Sequence, residues 1–354
     1  MECIEKILDK YEKSPLLSQL NKGLAQNEYC AHILGACGSS MSFILSAFYK
    51  NSNKALLYIL PDKNEAAYVQ NDMQCIFPDI PVLFFSDSLR ANVSHKDPTN
   101  IIMRTEVIDT LVHKFKRPPI IVTYSDALLE KVMHPNYFRR FSFRIKQGES
   151  INLDTFNEKM ISWHFERVDF VFEAGQFSIR GGIIDIFSFG EENPYRIELF
   201  DDEVESIRLF DLDSQRSIKE VRFAKIIPDT GMNFPEKEHC NMLSLLDNDE
   251  FVCVIKDAPL TKFRLEEIEK KIEDRLINVK DDKDIVLYEQ DGHSNKDIGS
   301  LFDTPANILK LIETFPIVEY GSKQLFKPNE TFELKTLPQP SFNKIQSTIL
   351  TCAP

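Results

Sequence analysis

The sequence predicts an α/β protein: a degenerate P-loop domain in two sequence segments, interrupted by an inserted α+β domain with an antiparallel sheet. Three observations lead there. From Ala31 to Met133, short continuous apolar runs alternate with helix-length amphipathic stretches. From Phe138 to Pro228 the pattern switches to aromatic and β-branched residues at period two, and beyond Pro228 the α/β character resumes.

In the first segment the apolar runs are Ala31 to Leu34, Ala55 to Leu60, Val82 to Phe85 and Ile120 to Tyr124. Strands buried on both faces of a parallel sheet read this way, and each gap holds a crossover helix. In the second segment a helix between about Leu153 and Phe165 precedes strands such as Phe177-Ser178-Ile179-Arg180 and Tyr195 to Phe200, with Gly175, Gly181, Gly182 and Gly190 as punctuation. The third segment offers a strand at Phe251 to Ile255, a long charged helix from about Leu260 to Val279, and a strand around Pro316 to Val318. The expected organisation is therefore 1–136 and 229–354 as the two parts of one α/β domain, and 137–228 as the insert. Lys280-Asp281-Asp282-Lys283-Asp284 reads as a solvated loop.

Composition narrows the function classes. The 354 residues carry 55 acidic and 42 basic side chains, a net charge of −13 that opposes sequence-independent binding to a phosphate backbone. The seven cysteines are scattered, with no CxxC spacing and no His-Cys cluster, so they read as small buried side chains of a reducing compartment, and no metal is assigned. His32 and His164 read as structural. The first 17 residues alternate charged and apolar side chains, unlike a signal peptide or membrane span, so the expected location is cytoplasmic.

After the first strand comes Gly35-Ala36-Cys37-Gly38-Ser39-Ser40-Met41-Ser42 and then a helix pattern, which is the context of a phosphate-binding loop. A working GxxxxGK[ST] loop needs glycine at its sixth place and lysine at its seventh, and here those places hold Ser40 and Met41. Met41 forfeits charge-assisted hydrogen bonds worth about 1.5–3 kcal/mol each. Ser42 keeps a hydroxyl of the magnesium-binding kind, but without the lysine it reads as a helix-start residue. The strand at Pro316 to Val318 runs into Glu319-Tyr320-Gly321, one carboxylate where an ATPase needs an acidic pair. Catalysis is not expected, while weak nucleotide binding stays open.

Parity says what the insert shows to the outside. Along Tyr195 to Phe200, Tyr195, Ile197 and Leu199 share an apolar face, and Arg196, Glu198 and Phe200 share the other. Likewise Phe177 and Ile179 point inward and Arg180 outward. Aromatic and arginine side chains are enriched at protein–protein hot spots. The alternative is that Arg196 pairs with Glu198 or another surface acid and Phe200 packs beneath a loop.

The run Glu173 to Phe187 resembles the GxFxxRGGxxDIF signature of the family formed by UvrB and the bacterial transcription-repair coupling factors, and the similarity continues through Pro194 to Arg208, Phe210-Asp211 and Ser214 to Ser217. Weaker similarity includes the Gly35 loop and Arg104-Thr105-Glu106. The resemblance implies a RecA/UvrB-like fold and an insert that binds UvrA, with Arg180, Arg196 and Phe200 at the matching positions. UvrB keeps the loop lysine and a tyrosine-rich hairpin. Here no tyrosine lies between Phe85 and Arg104, so the UvrB-homology module of the coupling factors is the nearer likeness. That likeness implies an N-terminal fragment that recruits UvrA to stalled RNA polymerase. It further implies that contacts with RNA polymerase and double-stranded DNA, the use of ATP and magnesium, and masking of the docking face belong to other domains. The rival reading is a UvrB-like nucleotide-dependent helicase component.

Overall fold

A computed structural model describes residues 2–26, 28–87, 98–113, 115, 117–140, 142–189, 191–228, 239–278 and 301–336. The expected loop at Lys280–Asp284 and most of the tyrosine-free stretch after Phe85 lie outside them.

The first part of the chain supplies β1 (Cys30–Leu34), β2 (Ala55–Leu60), β3 (Val82–Phe85) and β4 (Ile120–Tyr124), then a short β5 (Val132–Met133). The middle supplies β6 (Phe143–Lys146), β7 (Glu166–Arg167), β8 (Gln176–Arg180), β9 (Ile183–Ile186), β10 (Tyr195–Phe200), β11 (Glu203–Phe210), β12 (Ser217–Glu220) and β13 (Phe223–Ile226). The last part supplies β14 (His239–Cys240), β15 (Phe251–Lys256), β16 (Ile317–Tyr320) and β17 (Glu330–Glu333).

Seven of these strands form one parallel sheet in the order β17-β1-β16-β15-β2-β4-β3. Strands from the two ends of the chain interleave: β15 lies between β2 and β16, and β1 between β16 and β17. The reason is their composition. All six residues of β2 and all five of β4 are buried, so each strand needs a covered neighbour on both edges and both faces. The flanking helices start where the sequence caps them. Asp62 accepts from the Glu65 N–H ahead of Lys63–Ile76, and Thr304 accepts from the Asn307 N–H ahead of Pro305–Ile312, with proline at the helix start.

The chain leaves this layer after β5 and re-enters at β14, and those two strands pair antiparallel at the neck. The excursion between them builds a six-stranded sheet, β12-β11-β10-β9-β8-β7. It departs from the simple antiparallel sheet in two ways. β7 and β8 run parallel, because Val168–Gly175 crosses the outer face of the sheet instead of turning tightly, and β6 pairs with β13 as a separate two-stranded ribbon. The inner face packs Phe177, Ile184, Ile186, Tyr195, Ile197, Val204 and Ile207 against Phe156 and Met160 of the helix Leu153–Ser162. Among the described residues no helix is long and apolar enough to cross a membrane.

Candidate functional site

The loop after β1 turns on two glycines in the left-handed region, Gly35 at φ 73° and Gly38 at φ 53°. The neighbouring chain crowds the first: a Cβ on Gly35 would lie 2.4 Å from the Leu334 carbonyl oxygen. Just past β17, the Leu334 N–H donates to the Leu34 carbonyl at 2.9 Å, and the Thr336 hydroxyl donates to the Gly35 carbonyl. Ser40 accepts from the Cys37 N–H at 3.0 Å and so closes the loop on itself.

Met41, at the place of the P-loop lysine, is 3% exposed and belongs to the core beneath the sheet. Ser42 lies at the start of its helix, but the cap position belongs to Ser39. The helix Ser40–Asn51 is preceded by Ser39 at the cap, and Ser42, in the first turn, donates to the Asp72 carboxylate at 2.9 Å. The neighbouring helix Lys63–Ile76 brings that acid within reach, and a buried hydroxyl takes the nearest acceptor. Glu319, on β16 in register with His32 of β1, is fully buried. Its carboxylate accepts from the Leu325 and Phe326 N–H groups at 2.7 and 3.1 Å, tying down the turn after β16. Burial pushes its pKa up, and these two N–H groups and His32 partly offset that.

The outer face of the six-stranded sheet is built differently. Cross-strand register aligns Ser178, Asp185, Arg196 and Arg208 in one row across β8, β9, β10 and β11. Asp185 is 1% exposed, and it is the anchor of the row. Arg196 grips it bidentately, Nε to Oδ1 at 2.7 Å and Nη2 to Oδ2 at 2.9 Å, while Arg180 Nη2 reaches Oδ2 at 2.5 Å. Each guanidinium also covers a ring: Arg180 sits 4.7 Å from the Phe170 centroid and Arg196 4.5 Å from that of Phe210. The carboxylate raises the Arg196 pKa further.

Parity placed Arg180, Arg196 and Phe200 on this face, and there they are. They are not equivalent. Phe200 is 76% exposed and packs beneath no loop among the described residues, whereas the Arg196 side chain is only 18% exposed and already holds an acid. Nor does Arg196 pair with Glu198, which instead accepts from Ser206 at 2.8 Å and from Arg208. The register decides this: Arg196 is directly opposite Asp185 on one side and Arg208 on the other.

Two features of the face escaped sequence reasoning. Asp185 carried a signal, an acid at an outward position within the apolar run Ile183-Ile184-Asp185-Ile186. Phe170 and Phe172, 53% and 63% exposed, stand in an irregular segment where period two gave no strand and therefore no face.

Residues 143–232 match the family described as UvrB interaction domain. The chain is similar to the transcription-repair-coupling factor of Bacillus subtilis (strain 168), with 28% identity over 321 residues, 90% of this chain and 27% of that protein. It is 24% identical to that of Escherichia coli (strain K12) over 191 residues, 54% of this chain and 17% of the relative. It is also similar to the UvrABC system protein B of Clostridium acetobutylicum, 27% identical over 232 residues, 60% of this chain and 34% of the relative. The chain thus spans about a quarter or less of the coupling factors it matches and about a third of this UvrB protein.

Proposed function

We propose, taking residues 143–232 as a UvrB interaction domain, that this chain is a docking module that recruits UvrA in nucleotide excision repair coupled to transcription, as the N-terminal part of a coupling factor in the cytoplasm. The observation that carries the reading is the outer face of the six-stranded sheet, which carries Phe200, 76% exposed, and two arginines held in place by one buried acid. An exposed ring on the same face as pre-oriented guanidinium groups is the composition of a protein–protein hot spot, and immobilising the arginines beforehand lowers the entropy lost on binding.

In this reading the Gly35 loop does no ATP hydrolysis. The buried Met41, the Ser42–Asp72 hydrogen bond and the use of Glu319 as a turn anchor support it. ATP, magnesium, RNA polymerase and double-stranded DNA are then handled by other domains of a longer protein.

The test is calorimetric titration of UvrA into this chain and into a variant carrying Arg180→Ala, Arg196→Ala and Phe200→Ala, with Phe200→Ala alone as the variant least able to disturb the fold. Hot-spot truncations cost about 2 kcal/mol or more each, so a micromolar signal should vanish in the triple variant and weaken in the single one. Absence of binding by the wild-type chain would sink the reading. DNA-stimulated ATP hydrolysis by this chain would favour the rival, a UvrB-like helicase component.

A further inference from the structure

We infer that Phe170 and Phe172, on the segment crossing the outer face of the sheet, are part of the same docking surface and contact the same partner protein. This rests on the docking reading above and adds a second aromatic element to it.

The segment Val168–Gly175 has no regular secondary structure, yet it is held at several points. Its Asp169 carbonyl accepts from the Ser178 hydroxyl at 2.9 Å and from Arg180 Nη1 at 3.2 Å. The Gln176 side-chain carbonyl accepts from the Phe172 and Glu173 N–H groups at 3.0 and 3.1 Å. Between the two phenylalanines, Val171 is 1% exposed and packs with Phe187 and Phe210 on the outer side of the sheet. Val171 is fixed in that small core while its neighbours Phe170 and Phe172 remain 53% and 63% exposed. The exposure of the two rings therefore follows from how the segment is anchored.

Leaving large apolar rings partly in water forfeits part of the free energy that burial would gain. Here one of them adjoins a candidate docking residue, with Phe172 two positions further along the same segment: the Phe170 ring lies under the Arg180 guanidinium, whose other amino group holds Asp185. With Phe200, the insert carries three exposed phenylalanines together with an arginine pair. The occupant this composition fits is a protein surface with apolar pockets and carboxylates at their rim, the same chemistry that Arg180 and Phe200 require.

The experiment titrates UvrA into the full chain carrying Phe170→Ala or Phe172→Ala, beside wild type and Phe200→Ala, with thermal melting by circular dichroism as the fold control. Both new variants should melt like wild type and bind at least about tenfold more weakly. If Phe172→Ala binds within about twofold of wild type while Phe200→Ala is weakened, the inference is wrong and the docking reading survives. Weakening by Phe170→Ala alone would also overturn it, since that ring would then act only by positioning Arg180. If wild type fails to bind, the docking reading falls and the inference with it.

Discussion

The Gly35 loop and the outer face of the inserted sheet each contain the residue types of a functional site, but they direct them oppositely. At the loop, Met41 is in the core, the Ser42 hydroxyl is bound to Asp72, the Glu319 carboxylate is bound to two backbone N–H groups, and the Gly35 carbonyl is taken by Thr336. At the sheet, the charges are also paired, but by an arrangement that leaves rings in solvent: Asp185 holds two arginines, and Phe170, Phe172 and Phe200 stand exposed. In the proposed reading, the loop's side chains, engaged with their own neighbours, make a structural joint. In the same reading, paired charges on a face that also exposes aromatic surface make a pre-organised place to bind.

The largest effect expected is at the anchor of the sheet. Asp185→Ala leaves two guanidinium groups without their acid, and breaking a buried pair costs about 3–5 kcal/mol, with the low end expected because Arg180 retains access to water. Urea denaturation should read this loss and calorimetry a simultaneous loss of partner binding. A stable Asp185→Ala chain that still binds would show the anchor to be dispensable.

The loop can be challenged by restoring what it lacks. Met41→Lys places an ammonium where a core side chain sits, with an expected cost on the order of 3 kcal/mol in denaturation and no gain of nucleotide affinity. If a fluorescent ATP analogue binds the variant tightly, the contrast between the two regions disappears.

A smaller effect separates the two glycines. Both lie at positive φ, so alanine at Gly38 should cost about 1 kcal/mol from backbone strain alone, whereas at Gly35 the added methyl also meets the Leu334 carbonyl and should cost about 2 kcal/mol or more. Equal melting temperatures for the two variants would mean that the segment after β17 yields readily.

The smallest is a pH effect at Glu319. Burial raises its folded pKa above the ordinary value of 4.5, so the folded state holds this proton more tightly than the unfolded state. Its contribution is therefore fully present below the unfolded pKa and is lost as pH rises through the folded one. Glu319→Gln should flatten the fall in melting temperature above about pH 4.5. An unchanged slope would assign that dependence to other buried carboxyls, such as Glu106 or Glu191, which burial also raises.

Much of this was legible in the amino-acid sequence, and each part for a local reason. Continuous apolar runs named β2, β3 and β4 to the residue, because a strand covered on both faces leaves few polar positions, and the one in β4, Thr123, donates its hydroxyl to the Phe85 carbonyl. Parity put Arg180, Arg196 and Phe200 on one face, because alternation is a property of each strand alone. The loss of the P-loop lysine at Met41 is a matter of residue identity.

Only the tertiary structure decided the rest. That β15 sits between β2 and β16, that Asp185 rather than Glu198 takes Arg196, and that Ser42 meets Asp72 all depend on which segments become neighbours. The exposure of Phe170 and Phe172 depends on a loop pinned by Ser178, Gln176 and the burial of Val171. Periodicity reports the face of a single element. Cross-strand register and loop anchoring are relations between elements distant along the chain, and they are set when the core closes.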